Sequence, residues 1–209
     1  MRKLLSLFAA CALIFCVTGV RAGEKTFKTD DEGFIRNWLV MEPIQLDDKA
    51  ANHDEDNQKE FFNKEFFPGQ KKFTPKDGDK SKVDNKDHAW KAVSTDDFKV
   101  DFDAQDNSLY LAVTYITCEK EIPDVKLKIG SDDSSVWLLN GKEIIRAYEG
   151  RGVDKDQNAS GAVKLEKGTN VLMAVVINGG GPTGMCAHFV DKDDKPIKDI
   201  TISLTPPAK

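Results

Sequence analysis

The sequence predicts an all-β protein, an antiparallel β-sandwich, and three observations carry that expectation. Apolar residues alternate with polar ones in short runs, Asn140-Gly141 separates two such runs, and Gly, Asn and Asp punctuate the chain where helical periods are scarce. Of 209 residues, 40% are hydrophobic and 31% charged, the balance of a globular chain in water and of a single domain.

From the amino terminus, Arg2 and Lys3 precede an apolar run over Leu4 to Val17, and small-residue processing fits Val20-Arg21-Ala22. Residues 1–22 therefore read as a secretory signal with cleavage near Ala22, and the run is too short to span a bilayer. The expected location is secreted or periplasmic. Removing Arg2, Lys3 and Arg21 from 30 basic residues leaves 27 against 35 acidic ones, a net charge of −8. Such a surface repels phosphate backbones and anionic membranes, so nucleic acid is not an expected partner.

Residues 23–209 form the expected domain, with no internal repeat and no Pro/Ser-rich linker. Its first third offers strands over Phe34 to Ile44 and Phe98 to Phe102. Between them Asp54 to Phe67 can form a short helix, since Phe62 and Phe66 fall four apart and Pro68-Gly69 supplies a stop. The stretch near residues 68–88 is nearly all charged or polar and reads as a mobile surface loop.

Further on, Leu109, Leu111, Val113 and Tyr115 share one phase against Tyr110 and Thr114, the period of a half-buried strand. Val125, Leu127 and Ile129 alternate with lysines. Val136 to Leu139 and Lys142 to Ala147 flank Asn140-Gly141, a hairpin signal because both turn residues must take positive φ. Ala162 to Leu165 and Asn170 to Ile177 flank Lys167-Gly168-Thr169; the second run is apolar in both phases, so a central strand covered on two sides is expected. Met185 to Phe189 and Ile197 to Leu204 complete the series.

Two cysteines, Cys118 and Cys186, lie beyond the leader. In an oxidising compartment they either form a disulfide or stay as two buried thiols, and the sequence supports both readings.

Three segments together resemble an exported bacterial family. They are Phe34-Ile35-Arg36-Asn37-Trp38-Leu39-Val40, the run Gly130-Ser131-Asp132-Asp133-Ser134-Ser135-Val136-Trp137 into Asn140-Gly141, and Lys167-Gly168-Thr169-Asn170 with Asn178-Gly179-Gly180-Gly181. The family comprises jelly-roll modules similar to galactose-binding-like domains, found beside glycoside hydrolases and esterases. The Ser-Asp-Asp segment is similar to the sugar-binding domain shared by anthrax protective antigen, yeast adhesins and some glycosidases. The resemblance implies a galactose-binding-like jelly roll that binds a polysaccharide or glycan without catalysis. In adhesin-like relatives an Asp pair helps hold Ca²⁺ against the sugar.

The candidate carbohydrate-binding residues are Asp132, Asp133, Trp137, Asn140, Arg151 and Asn178, with Asp132 and Asp133 as the metal candidates. Adjacent carboxylates at a strand exit present oxygens to a hard cation, although an Asp also caps a turn through backbone N–H groups. Arg151, between two glycines, suits hydroxyls or a carboxylate. Trp137 occupies the opposite phase from Val136 and Leu138, whereas Trp38 and Trp90 sit in apolar surroundings suited to the core.

Asp154, Asp156 and Asn158 start an EF-hand-like spacing that fails at Ala159 and Leu165, leaving a looser cation site shared with the Asp132 loop. The histidines, His53, His88 and His188, match no hydrolase or zinc motif, so an enzyme is not expected. The alternative function is a structural or protein-interaction module of the cell envelope.

Overall fold

A computed structural model describes residues 25–48 and 55–207. The leader and His53 lie outside them. In chain order the elements are β1 (Thr26–Phe27), β2 (Asn37–Met41), β3 (Ile44–Gln45), α1 (Glu55–Asn63), β4 (Lys80–Val83), β5 (Lys86–Ser94), β6 (Val100–Asp101), β7 (Ser108–Cys118), β8 (Ile122–Asp132), β9 (Ser134–Leu139), β10 (Lys142–Ala147), β11 (Asn158–Ala159), β12 (Val163–Leu165), β13 (Gly168–Asn178), β14 (Gly184–Val190) and β15 (Thr201–Ser203).

These form two antiparallel sheets, as expected for an all-β sandwich. The large sheet runs β10-β9-β13-β7-β2-β5-β4, with β1, β3 and β15 attached beside β7. The small sheet runs β11-β8-β14-β6, with β12 also on β8. Between the sheets, Trp38, Tyr110, Ile116, Trp137, Leu172 and Val176 meet Leu127, Ile129, Met185 and Phe189. Each such aliphatic or aromatic side chain contributes about 1.5–3 kcal/mol of burial.

The reading of β7 needs correction. Leu109, Leu111, Val113 and Tyr115 do share a face, but that face is as buried as the opposite one. A second apolar cluster covers the outside of the large sheet, where Phe62 of α1, Phe67, Val83 and Trp90 pack over Leu111, Val113, Met173 and Val175. The same layer explains why β13 is apolar in both phases and lies between β7 and β9.

The charged stretch near 68–88 is likewise not a loop throughout. Lys80–Val83 and Lys86–Ser94 form a hairpin whose two turn residues, Asp84 and Asn85, take φ of 45° and 66°. Asp and Asn tolerate that left-handed conformation and so replace the expected Gly. One face of the hairpin is apolar enough to dock: Val83 is buried, and Trp90 donates its indole N–H to Ser81 Oγ at 2.9 Å. The helix ends at Asn63, before Phe66, and its buried aromatic is Phe62. Asn140-Gly141 forms the expected two-residue hairpin, with φ of 52° and 79° and Leu139 facing Lys142.

Cys118 and Cys186 are both buried free thiols, so the disulfide reading is corrected. Cys118 ends β7, just before β8 begins at Ile122, whereas Cys186 pairs with Gly130 near the other end of β8. Eight residues of strand, about 25 Å, separate those ends, far beyond the ~7 Å a bridge spans.

Candidate functional site

At one end of the sandwich, the step from β8 to β9 is made by Asp132 and Asp133, joined by a cis peptide bond. Register brings the glycine-rich loop after β13 alongside. Ser134 faces Ile177, and the Asp133 N–H donates to the Ile177 carbonyl at 3.1 Å. Asp133 then accepts the Gly179 N–H on Oδ2 and the Arg151 N–H on Oδ1, each at 2.9 Å. On the other side the Thr183 hydroxyl donates to the Asp132 carbonyl. Three segments distant in sequence, at 131–133, 150–152 and 178–184, thus meet at one corner.

Within the corner the two carboxylates differ. Asp133 is buried and ties the loops together. Asp132 is half-buried on the small sheet, where register sets it across Gly184 from Asp101. Gly184 is buried and closely packed between them; a Cβ there would lie 3.3 Å from Asp101 Oδ1 and 2.5 Å from the Val100 carbonyl oxygen. Burial first, and then the Asp133 charge beside it, push the Asp132 carboxyl up to about 6, against the opposing pull of Lys99.

Arg151 lies against the same corner. Its guanidinium donates to the Ser131 carbonyl at 3.2 Å, to Glu149 at 2.8 Å and to Asn158, so these contacts hold it in place. Asn178 is fully buried; its amide N–H groups donate to the carbonyls of Gln105 and Gly181, while its Oδ1 has no hydrogen-bond partner. A buried acceptor left unpaired costs about 1–3 kcal/mol.

Asp132, Asp133, Arg151 and Asn178 are therefore brought together, but two other candidates are not. Trp137 is 0% exposed; its ring packs edge-on against Trp38 and its indole N–H donates to Ser135. It faces between the sheets and is closed to a sugar, a correction that follows from the large sheet being covered on both sides. Asn140 lies at the far end of β9, about 20 Å away at strand spacing, and is occupied by bonds to Asn170 and to the Val171 N–H.

The EF-hand-like segment is also committed to the fold. The Asp154 carbonyl lies over Cys186, Asp156 pairs with His188 and Lys128, Gln157 accepts the Ser131 N–H, and Asn158 accepts from Arg151. Among the described residues no three His, Cys, Asp or Glu side chains form a metal-ligating group. A hollow of about 360 Å³ lies elsewhere, lined by Thr29, Asp30, Asp31, Glu32 and Arg36. Thr183 leaves no local signal in the sequence, because its bond to the Asp132 carbonyl depends on the pairing of β14 with β8.

No family model matches this sequence, and no curated protein matches it. Solved structures do. The PA14 domain of the MpAFP antifreeze protein is 12% identical with a TM-score of 0.43, over 88% of this chain and 95% of that one. The epithelial adhesin 9 A domain from Candida glabrata, solved with Galb1-3GlcNAc, is 9% identical with a TM-score of 0.41, over 88% and 99%. An anti-sigma factor domain-containing protein from Clostridium clariflavum is 12% identical with a TM-score of 0.37, and this chain spans 38% of its length while 51% of this chain is covered.

Proposed function

We propose that the protein is an exported, non-catalytic module that binds a glycan at the Asp132 corner, assisted by Ca²⁺. The observation that carries this reading is the convergence of the 131–133, 150–152 and 178–184 segments on Asp133, which accepts both the Gly179 and the Arg151 N–H groups beside the half-buried Asp132. Hard cations take oxygen donors, and the corner offers the Asp132 and Asp133 carboxylates together with carbonyls of the 178–184 loop, of which Asn178 is the buried first residue. A bound Ca²⁺ would supply positive charge to polarise and orient sugar hydroxyls.

The chain's own residues have separate tasks in this reading. Asp133 holds the two loops in register through the Gly179 and Arg151 N–H groups. Asp132 presents a carboxylate at the rim, across Gly184 from Asp101. Gly179–Gly181, which are not buried, carry no side chain and so let a ligand approach the backbone.

Affinity electrophoresis against plain and acetylated polysaccharides, with Ca²⁺ and with chelator, tests the proposal. Retardation that is lost in chelator and in Asp132→Ala supports it. Release of sugar from those polymers would sink the non-catalytic part. An unretarded protein whose melting temperature ignores Ca²⁺ overturns both the glycan and the cation, and favours the envelope-interaction reading.

A further inference from the structure

The glycine-rich loop leaves β13, the strand between β7 and β9, and register fixes what lies on either side of it. Asn178, the last residue of β13, stands opposite Ser108 at the start of β7, and Ile177 stands opposite Ser134 at the start of β9. The residues just ahead of those two strands, 105–107 and 132–133, therefore flank the loop. Each flank sets one carboxylate against it. Asp133 Oδ2 accepts the Gly179 N–H at 2.9 Å, and Asp106 Oδ1 accepts the Gly181 N–H at 3.0 Å.

The loop has little to pack with. Gly179, Gly180 and Gly181 carry no side chain, and Gly180, Gly181 and Pro182 are exposed. Glycine loses more backbone freedom on folding than any other residue, so three in a row keep one conformation mainly through their hydrogen bonds. Asp106 is closely fitted to them. A Cβ on Gly180 would lie 3.4 Å from Asp106 Oδ1, and Gly181 takes φ of 82°, a left-handed conformation suited to glycine.

Asp106 is itself held in place. The Asn107 N–H donates to the Gly179 carbonyl at 3.3 Å, and the Asn178 amide donates to the Gln105 carbonyl at 3.0 Å and the Gly181 carbonyl at 3.2 Å. Behind this turn the Gln45 amide, on β3, donates to the carbonyls of Asp106 at 3.2 Å and Asn107 at 2.8 Å, while its oxygen accepts from Gln105 Nε2 at 2.7 Å. The Leu46 N–H adds a bond to the Asn107 carbonyl at 2.7 Å. The 105–107 turn is thus anchored to the edge of the large sheet before it meets the loop.

We propose that Asp106 is a positioning residue for the corner, a latch that holds the 179–181 turn from the side opposite Asp133 and presents the loop to a ligand already ordered. This inference rests on the glycan and cation reading of the corner. A loop that its ligand must order binds more weakly by the cost of that ordering, and a loop ordered in advance does not. The Asp106 bond lies at the surface, so its loss loosens the loop and leaves the sandwich core intact. What the latch needs is an acceptor, because its partner is a backbone N–H. An Asn keeps a carbonyl oxygen there, whereas an Ala has none. Asp106→Asn and Asp106→Ala both lack the charge, so a comparison between them isolates the hydrogen bond.

The test uses the whole chain. In nitrogen-15 NMR the Gly181 amide should exchange with solvent about threefold to tenfold faster in Asp106→Ala than in Asp106→Asn or the wild type. Calorimetric titration with calcium chloride, and retardation by whichever plain or acetylated polysaccharide slows the wild type, should be weaker in Asp106→Ala than in Asp106→Asn by about the same threefold to tenfold factor. The melting temperature in chelator should stay close to that of the wild type in both variants. A Gly181 amide that ignores Asp106→Ala overturns the latch. So does binding that is equal in the two variants, whether both match the wild type or both fall below it. A wild type that takes up neither calcium chloride nor polymer sinks the corner reading itself, and the positioning role with it.

Discussion

Asp133 Oδ2 accepts the Gly179 N–H at 2.9 Å, and this bond joins the end of the small sheet to the loop leaving the centre of the large one. The second carboxylate oxygen takes the Arg151 N–H, so one buried side chain sets the spacing of three segments. Asp133→Asn turns an amide N–H₂ toward one of those donors. Loss of one charge-assisted bond and an unsatisfied N–H should cost about 1–3 kcal/mol in urea denaturation, and Ca²⁺ should raise the variant's melting temperature less than that of the wild type.

Asp132 should make stability fall as pH rises. Its folded carboxyl is pushed up to about 6 from an ordinary 3.8, so between those values the folded state binds more protons than the unfolded one. Its contribution is most favourable below that window and is lost as pH rises through about 6. Melting temperatures taken in chelator across this range should decline in the wild type relative to Asp132→Asn. Added Ca²⁺ competes with the proton, so its stabilisation should be strong above about 6 and weak below it. A difference between the two proteins that ignores pH would refute the assignment.

Trp137 is a packing residue. Trp137→Ala should cost about 3–5 kcal/mol by denaturant titration, because it opens a cavity beside Trp38 and removes one of the two side-chain hydrogen bonds of Ser135. Trp137→Phe, which keeps the fold, should leave glycan retardation unchanged.

Gly130 carries the loop across the small sheet. A Cβ at that position would lie 1.8 Å from the Asp154 carbonyl oxygen, so Gly130→Ala displaces the loop backbone. Limited proteolysis should cut the variant within residues 148–157 faster than the wild type, with a lower melting temperature.

The two thiols should be inert in the folded protein. Burial pushes Cys118 up to about 11 and Cys186 up to about 12, so a thiol reagent should label these two residues only after denaturation. Reductant should leave the melting temperature unchanged.

How much of this was legible beforehand differs by element. Strand existence was legible wherever alternation and turn chemistry were local, as in the hairpin at Asn140-Gly141 and the doubly apolar run of β13. The Asp84-Asn85 hairpin was missed because its charges suggested solvent, while the decisive signals were two positive-φ formers and the pairing of Ser81 with Trp90. At the corner, Asp132, Asp133, Arg151 and Asn178 were chosen by residue type, and the fold brings their segments together. Trp137 and Asn140 were misassigned because a phase or a turn does not say which end or face of a sandwich it occupies.

The sequence by itself determined the all-β class, the strands with a clear local period and the chemistry offered at each turn, since those follow from side-chain period and backbone preference within a few residues. Tertiary structure alone decided that both faces of the large sheet are buried, that the cysteines lie apart, and that Asp133 faces Gly179. Those outcomes depend on strand order and register between segments distant in the chain, which no local pattern encodes.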